Sequence, residues 1–496
     1  MNMTITSASG IRTVAIEPGM PLSDILHRED PSFAMPCAGN HTCGKCRVQV
    51  EGAVTPMDES ERRLLSGEDQ ANGIRLACFC RVCGDVSVRL NDAGASKIIA
   101  WNKTAAFEHT ETGFGIAVDI GTTTVAMQLF ERASGRVLAE RLAENRQRGY
   151  GADVISRIEA CKTSDLDTLS DLIADQLEEM AAACLAEAGL DTIDEAVVTG
   201  NSTMLHLYEG LDPASLAVVP FDVQSYFGCM SRRTLAGAPV YLPRCIGAYV
   251  GADIICAILA SGMVHKGGVE LLADIGTNGE MALLHNGKLL CCSTAAGPAF
   301  EGAGLSQGMP AAPGAIRAVQ QTDGAITYKT VQDKPAIGVC GSGILDALRV
   351  MLETKIIDDS GYLDEDYEID GSGVTIIQKD VRQIQLAKSA ICAGVITLLE
   401  EEGVDAADVA RFCIAGGFGS SMDYTSACAI GLFPAALRDK TEFIGNGALG
   451  GAAMLLMNRS LREYSESLAE NATELSLSAS AAFMDYYVDC MSFMEF

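Results

Sequence analysis

The chain is short of positive charge: 36 lysines and arginines face 65 aspartates and glutamates, a net charge of −29 over 496 residues. Binding a phosphate backbone requires a basic face, so no nucleic-acid partner is expected. Long charge-free apolar runs are also lacking. None reaches the roughly 18 residues of a membrane-crossing helix, so no membrane partner is expected. The opening residues, MNMTITSASGIRTVAIEPG, hold no basic segment followed by an apolar core. No secretory signal is therefore expected, and the location is read as cytoplasmic. Histidine is scarce, at six, and neither His206 nor His265 has metal-ligand spacing to another histidine. Both read as satisfied core histidines. What is present is 48% hydrophobic and 20% charged residues, which describes a well-packed globular chain with length for about three domains. Cysteine is in surplus, at 18. In such a chain these read as cluster ligands and reduced core thiols, Cys291, Cys292 and Cys340 among the latter, rather than as disulfides.

Four cysteines carry the strongest signal: Cys37, Cys43, Cys46 and Cys78. Their spacing is C-x5-C-x2-C, then a fourth after 31 intervening residues. The first three lie in PCAGNHTCGKCRVQV, a loop of glycine and small residues running into an alternating strand. This is similar to the plant-type [2Fe–2S] ferredoxin pattern. Two irons need four thiolates, so three must come from one loop wrapped round the cluster, and glycines let that loop bend. A zinc knuckle or a reduced loop trio is the bland alternative. The segment RLACFCRVCGDV also offers Cys80 and Cys83 as fourth ligand, although both read as packing residues. Around the cysteines, IRTVAIE alternates as a strand, PLSDILHRE reads as a helix opened by Ser23, and ESERRLLSGEDQ as one helix. DVSVRL closes the unit with Val86, Val88 and Leu90 on one face. Residues 1–92 thus suit a β-grasp ferredoxin-like domain. Residues 93–112 show no sustained period and read as a linker.

From residue 113 the texture changes. A strand–turn–strand–turn–strand unit contains AVDIGTTTV, and a long amphipathic helix and an apolar strand follow it. The same theme returns as VELLADIGTNGEMALL, 155 positions later. The duplication implies two like subdomains, read as 113–244 and 245–496. Each apolar strand ends in aspartate and turns through Ile-Gly-Thr. Gly121 and Gly276 let backbone N–H groups approach phosphate, while Thr122, Thr123, Thr277 and Asn278 add donors. Asp119 and Asp274 are the candidate catalytic carboxylates, suited to holding Mg²⁺ through its waters, because Mg²⁺ gives up hydration reluctantly. A third turn, RFCIAGGFGSS, leaves the strand Phe412–Ala415 at Gly416 and Gly417 and then reads as a helix start, where bare backbone admits a flat adenosine. Gly341, Ser342 and Gly343 open the helix ILDALRVML, whose positive end suits phosphate. Glu301 reads either as a carboxylate for water or Mg²⁺ or as a loop-stabilising group. The trio of turns resembles the phosphate-1, phosphate-2 and adenosine motifs of the actin, sugar-kinase and Hsp70 (ASKHA) ATPases. The fold class is therefore α+β and α/β multidomain: a β-grasp [2Fe–2S] domain followed by a two-lobed ASKHA ATPase.

A ferredoxin joined to such an ATPase resembles the reductive activators of corrinoid proteins, the RACo-like ATP-dependent activases. Beyond the motifs above, the resemblance rests on ENRQRGYGADVISRI, VVTGNSTMLHL, YVGADI, STAAGPAFEGAGLSQGM, IGVCGSGILDAL, FIGNGALGGA and the ending MDYYVDCMSFMEF. It implies a [2Fe–2S] cluster, ATP and Mg²⁺ as cofactors. It also implies one-electron reduction of a Co(II) corrinoid to Co(I) in a methyltransferase or demethylase system. The partners implied are a corrinoid protein and an upstream low-potential electron donor, and related activators are often homodimers. The Leu-Ala-Cys context of Cys78 resembles the family's last cluster ligand. The alternatives are an activator of another low-potential enzyme, of the 2-hydroxyacyl-CoA dehydratase or benzoyl-CoA reductase type, and a redox-gated ATP-binding scaffold. A sugar or acid kinase would leave the ferredoxin without purpose. The first alternative holds a [4Fe–4S] cluster between two subunits, unlike the fused cysteine set here.

Overall fold

Short alternating apolar runs separated by glycine and polar turns build the N-terminal unit. The computed structural model describes residues 1–7, 10–29, 33, 41, 44, 46–65, 67–90, 106–163, 166–322, 324–418 and 422–494. Cys37, Cys43 and most of the stretch read as linker lie outside the described residues. The elements of this unit are β1 (Asn2–Ser7), β2 (Gly10–Ala15), α1 (Leu22–Glu29), β3 (Arg47–Val54), α2 (Glu59–Leu64), α3 (Gly67–Ala71), β4 (Ile74–Leu76) and β5 (Val82–Leu90). The strands form one sheet in the order β2-β1-β5-β3-β4, with β1 and β5 parallel. Leu22, Ile25 and Leu26, at helical spacing, press α1 onto Met3, Ile5, Val48, Val86 and Val88.

Two local readings are corrected. The first helix starts at Leu22, so Ser23 lies inside it and donates to Asp24 Oδ1 at 3.1 Å instead of opening it. The stretch 59–70 is two helices, because Leu65 takes an extended conformation that buries its side chain. Asp58 caps the first of them, accepting from Glu61 N at 2.8 Å.

The remainder is built on two six-stranded sheets. The first comprises β6 (Phe114–Ile120), β7 (Thr124–Glu131), β8 (Arg136–Glu144), β9 (Glu195–Gly200), β10 (Cys229–Leu235) and β11 (Ala238–Leu242), in the order β10-β11-β9-β6-β7-β8. The helices α4 (Val154–Thr163), α5 (Leu166–Ala188) and α6 (Ser202–Glu209) belong with it. Leu169, Ile173, Leu177, Met180 and Cys184 recur at helical spacing along α5 and bury that stripe in the core of the first sheet. The helix α7 (Ala252–Ser261) then leads into β12 (Val269–Ile275), β13 (Gly279–His285) and β14 (Lys288–Thr294). These repeat the meander of β6, β7 and β8. In both copies a later strand adds parallel to the first: β9 along β6, and β20 (Val409–Ala415) along β12.

Within the second copy, between β14 and β20, lie insertions: the sheet of β15 (Ala315–Thr322), β16 (Ala325–Thr330) and β17 (Gly338–Val339), helix α8 (Gly341–Glu353), the pair β18 (Tyr367–Glu368) and β19 (Thr375–Ile376), and helix α9 (Gln378–Glu401). After β20 come α10 (Tyr424–Ala429), β21 (Thr441–Gly445), α11 (Gly447–Met457), α12 (Ser460–Asn471), β22 (Thr473–Glu474) and α13 (Ala481–Asp489). The order of the second sheet is β21-β20-β12-β13-β14-β22.

Helices α7 and α11 pack against each other and touch strands of both sheets. Their approach depends on Gly451, where a Cβ would stand 2.0 Å from the Cys256 carbonyl oxygen. Residues 106–112 have no regular structure but are tied to the body: Thr110 N and Glu111 N donate to Met457 O at 3.0 and 3.1 Å, and Asn458 Nδ2 donates to Glu108 O at 2.9 Å. Among the described residues no helix is long and apolar enough to cross a membrane.

Two further readings change. His265 is exposed, stacking on Tyr464, instead of lying in the core. Cys340 is buried but precedes α8 as its cap residue instead of sitting in a strand. The helix start read after Gly417 falls on residues 419–421, which lie outside the described residues.

Candidate functional site

The first Asp-Ile-Gly-Thr turn joins β6 to β7. Gly121 N donates to Thr124 O at 2.9 Å, and a Cβ on Gly121 would stand 2.7 Å from that oxygen. The second turn, between β12 and β13, closes the same way, with Gly276 N donating to Asn278 O at 3.0 Å. Side chains distant in sequence brace the first turn. Asn145 Nδ2 donates to Gly121 O at 2.8 Å, and Asn201 Nδ2 donates to Thr122 Oγ1 at 3.1 Å. Asn201 also caps α6, accepting from Met204 N at 3.0 Å. Arg157 is fully buried, and its guanidinium donates to the Thr122 carbonyl and to Gly151 O.

The two turns meet. Thr123 Oγ1 and Thr277 Oγ1 lie 3.1 Å apart. The half-buried carboxylate of Glu301 accepts from both, through Oε2 from Thr123 at 2.9 Å and through Oε1 from Thr277 at 3.2 Å.

Four carboxylates at and near the turns, Asp119, Asp253, Asp274 and Glu280, act on one another through their charges. Burial pushes Asp119 up to about 6, against the hydrogen bond from Asn446, which pulls it down. Asp253 is pushed up to about 7 by burial and by the charge of Asp119. Asp274 is pushed up to about 8 by burial and by the charges of Asp253 and Asp119. Glu280 lies well above the carboxylate range because of burial and the charges of Asp253 and Asp274, and a hydrogen bond from Asn278 opposes the rise. A group of acids held this close is stabilised by a cation. Among the described residues no three of His, Cys, Asp and Glu converge closely enough to chelate one directly. The oxygen donors are of the kind that fit Mg²⁺, a hard cation that keeps several of its waters.

Gly416, at φ +93°, packs against the second turn, and a Cβ there would stand 2.6 Å from Ile275 O and 2.8 Å from Asp274 Oδ1. Gly417 is exposed. Phe418 stacks on Phe300 with ring centroids 5.0 Å apart. Gly341, Ser342 and Gly343 are buried behind that pair: a Cβ on Gly341 would stand 1.9 Å from Phe300 O, and Ser342 Oγ donates to Arg317 O at 2.9 Å.

In the N-terminal unit, Cys46 Sγ and Cys78 Sγ lie 3.3 Å apart. That is a non-bonded contact, far longer than the roughly 2.05 Å of a disulfide, and two thiols brought together from separate segments fit shared iron ligation. Cys80 is turned into the core, where burial pushes its thiol up to about 12. Cys83 is exposed and contacts the Arg81 carbonyl. The strand leading to Cys78 is anchored by buried Glu61, which accepts from Arg75 Nε at 2.9 Å and Nη2 at 2.8 Å and from Leu76 N at 2.8 Å. His41 approaches the Cys78 carbonyl at 3.0 Å through Nε2 and stacks on Phe79.

The sequence reading assigned no role to Asn145, Arg157, Asn201, Asp253, Glu280 or Asn446. All but Glu280 lie in segments that carry the family resemblance, and the asparagine-before-helix pattern of GNSTM and GNGAL was the available signal.

Comparison with known proteins covers the whole plan. Residues 6–83 match a 2Fe-2S iron-sulfur cluster binding domain, 114–266 the RACo middle region, and 268–495 the C-terminal domain of RACo, the ASKHA domain. The chain is 33% identical over 414 residues to the corrinoid activation enzyme RamQ of Eubacterium limosum, covering 76% of this chain and 69% of that protein. It is 25% identical over 419 residues to a [Co(II) methylated amine-specific corrinoid protein] reductase of Methanosarcina barkeri, covering 77% of each. The solved structure of a reductive activator for corrinoid, iron-sulfur protein superposes with a TM-score of 0.70 at 27% identity, covering 99% of this chain and 98% of that one. A ferredoxin-type [2Fe–2S] domain followed by an ASKHA ATPase is thus the architecture, and the chain belongs to the RACo family of reductive activators of corrinoid proteins.

Proposed function

We propose that this protein binds an inactive Co(II) corrinoid protein and reduces it by one electron to Co(I), with ATP driving the uphill step, in a methyltransferase or O- or N-demethylase system. One observation carries the reading: a single chain joins a thiol pair 3.3 Å apart to two phosphate-type turns that meet at one carboxylate. Its relatives, a corrinoid activation enzyme and a corrinoid protein reductase, support it.

A [2Fe–2S] cluster held by Cys37, Cys43, Cys46 and Cys78 supplies a one-electron carrier. Glu61 and Arg75 hold the segment that brings Cys78 to Cys46. Cys80, in the core, and Cys83, on the surface, take no part. Gly121, Thr122 and Thr123 on one side, with Gly276, Thr277 and Asn278 on the other, bind the triphosphate. Asp119 and Asp274 hold Mg²⁺ through its waters and orient the attacking water. Gly416 and Gly417 leave room for adenosine. Gly341, Ser342 and Gly343 seat α8 tightly behind Phe300, next to the phosphate region.

The energetics are in range. A tenfold shift of a one-electron couple is about 59 mV, or roughly 1.4 kcal/mol. A thousandfold shift therefore needs roughly 4 kcal/mol, which ATP supplies if it favours one complex by that margin. The domain limits 1–92, 93–112, 113–244 and 245–496, a homodimer, a low-potential donor and a cytoplasmic setting complete the proposal.

The test is anaerobic reduction of a corrinoid protein followed by the Co(II) and Co(I) absorption bands. ATP with Mg²⁺ is expected to raise the yield of Co(I) well above the nucleotide-free level. Equal reduction with and without ATP rejects the reading.

A further inference from the structure

The hydroxyls of Thr123 and Thr277 and the carboxylate of Glu301 form a closed triangle, with edges of 3.1, 2.9 and 3.2 Å. A hydroxyl has one proton to donate, and an ionised carboxylate has none. Both threonine protons are therefore spent on Glu301. With the hydroxyls 3.1 Å apart, no phosphate oxygen fits between them. A terminal phosphate gripped by both turns needs those same two donors. It carries the same sign of charge as the carboxylate, so the two groups compete for one place.

Glu301 is attached to the rest of the site. It ends the short turn Pro298–Glu301, which lies between Gly297 (φ +75°) and Gly302 (φ +79°). Its neighbour Phe300 stacks on Phe418, next to Gly416 and Gly417. Displacing Glu301 therefore pulls on the loop proposed to receive adenosine.

We propose that Glu301 is an internal surrogate for the γ-phosphate: it holds Thr123 and Thr277 together until a triphosphate takes their hydroxyls, and a diphosphate leaves it in place. It is a specificity-determining residue, because the third phosphate is the part of the nucleotide that breaks the contact between the two turns. This rests on the nucleotide-binding reading above.

The test is calorimetric titration of the full chain with Mg²⁺ and either adenylyl-imidodiphosphate or ADP. In Glu301→Ala, the triphosphate analogue is expected to bind at least about fivefold more tightly, the factor that one ordinary hydrogen bond represents. ADP affinity is expected to change less than twofold. Glu301→Gln has the same shape, loses the charge and is expected to give an intermediate gain; it carries the test if the alanine variant fails to fold. Analogue affinity that is unchanged or weaker in the glutamine variant overturns the surrogate role while leaving nucleotide binding intact. A wild-type chain that binds neither nucleotide overturns the nucleotide reading, and the surrogate role falls with it.

Discussion

Asn446 donates its side-chain amide to Asp119 Oδ2 across 3.0 Å, while its own Oδ1 accepts from Leu449 N at 2.8 Å. One residue thus caps α11 and holds the carboxylate that ends β6. Asn201 plays a matching part, capping α6 and donating to Thr122 at 3.1 Å. The phosphate-type turn and its aspartate are positioned by two helix starts, so helix packing and site geometry are one problem. The amide of Asn446 is also the force that opposes the burial of Asp119.

Asp274, by contrast, is pushed up to about 8 by burial and by the charges of Asp253 and Asp119. Asp274→Asn keeps the shape and removes one of the repelling charges. The nucleotide-free variant is expected to melt a few degrees higher, on the order of 1 kcal/mol more stable. Its stabilisation by Mg²⁺ with ADP is expected to vanish. Thermal melts with Mg²⁺·ADP and with a chelator check both halves. A variant that melts lower yet keeps its response to Mg²⁺·ADP contradicts the account.

The three candidate fourth ligands separate experimentally. Cys78→Ser is expected to abolish or strongly shift the visible absorption of the cluster in anaerobically purified protein. Cys80→Ser is expected to keep the spectrum and to destabilise the domain by about 1–3 kcal/mol, since it puts a hydroxyl in an apolar core. Cys83→Ser is expected to change neither. A spectrum lost in Cys80→Ser and kept in Cys78→Ser reverses the assignment.

His206 supplies a pH dependence. It is fully buried, its Nδ1 lies 2.6 Å from the Ser202 carbonyl, and its Nε2 has no hydrogen-bond partner among the described residues. Burial lowers its pKa, and the contact with Ser202 opposes the shift. Between the folded value and the ordinary value near 6.5, the unfolded chain binds more protons than the folded one. The stability from neutral His206 is therefore complete above pH 6.5 and is lost as the pH falls, by at most about 1.4 kcal/mol per unit. Denaturant midpoints between pH 7 and 5 are expected to fall in the wild type and to fall less steeply in His206→Leu. Parallel slopes refute the assignment.

Glu195 carries the heaviest buried charge network. It meets Arg132 at 3.4 Å, Arg459 at 3.2 Å and Arg462 at 2.8 Å, and Arg132 also meets Glu111 at 3.1 Å. These contacts join β9, the turn after β7, α12 and the last residues of the stretch read as linker. Glu195→Ala leaves Arg132, with a side chain 3% exposed, without its buried partner. A loss of about 3–5 kcal/mol is expected. Glu195→Gln, which keeps one acceptor oxygen and the side-chain shape, is expected to lose less. An alanine variant within about 1 kcal/mol of wild type by denaturant unfolding rules out the buried-clamp role.

Much of the fold was readable because its signals are local. The cysteine spacing, the alternation in β5 and the aspartate-to-glycine turns each depend on a few neighbouring residues. The misreadings have a common cause. Ser23 looked like a cap, but helix α1 begins one residue earlier so that Leu22 enters the core. Residues 59–70 had helical composition throughout, yet burying Leu65 breaks the run. His265 sat among apolar residues in the chain and faces solvent in the fold. In each case a distant surface, absent from the local pattern, decided the outcome.

By itself the chain of residues determined which chemistry was on offer: four thiols at ferredoxin spacing and two copies of a glycine-bearing turn after an aspartate. Those are properties of neighbours in sequence, where backbone freedom and side-chain type suffice. Only the tertiary structure decided which groups share a place. It set the thiol of Cys78, not that of Cys80, against Cys46, and it brought Thr123, Thr277 and Glu301 onto one another from positions 154 and 178 residues apart. Hydrogen bonds act over about 3 Å, so partners so far apart along the chain are chosen by packing, which no local propensity encodes.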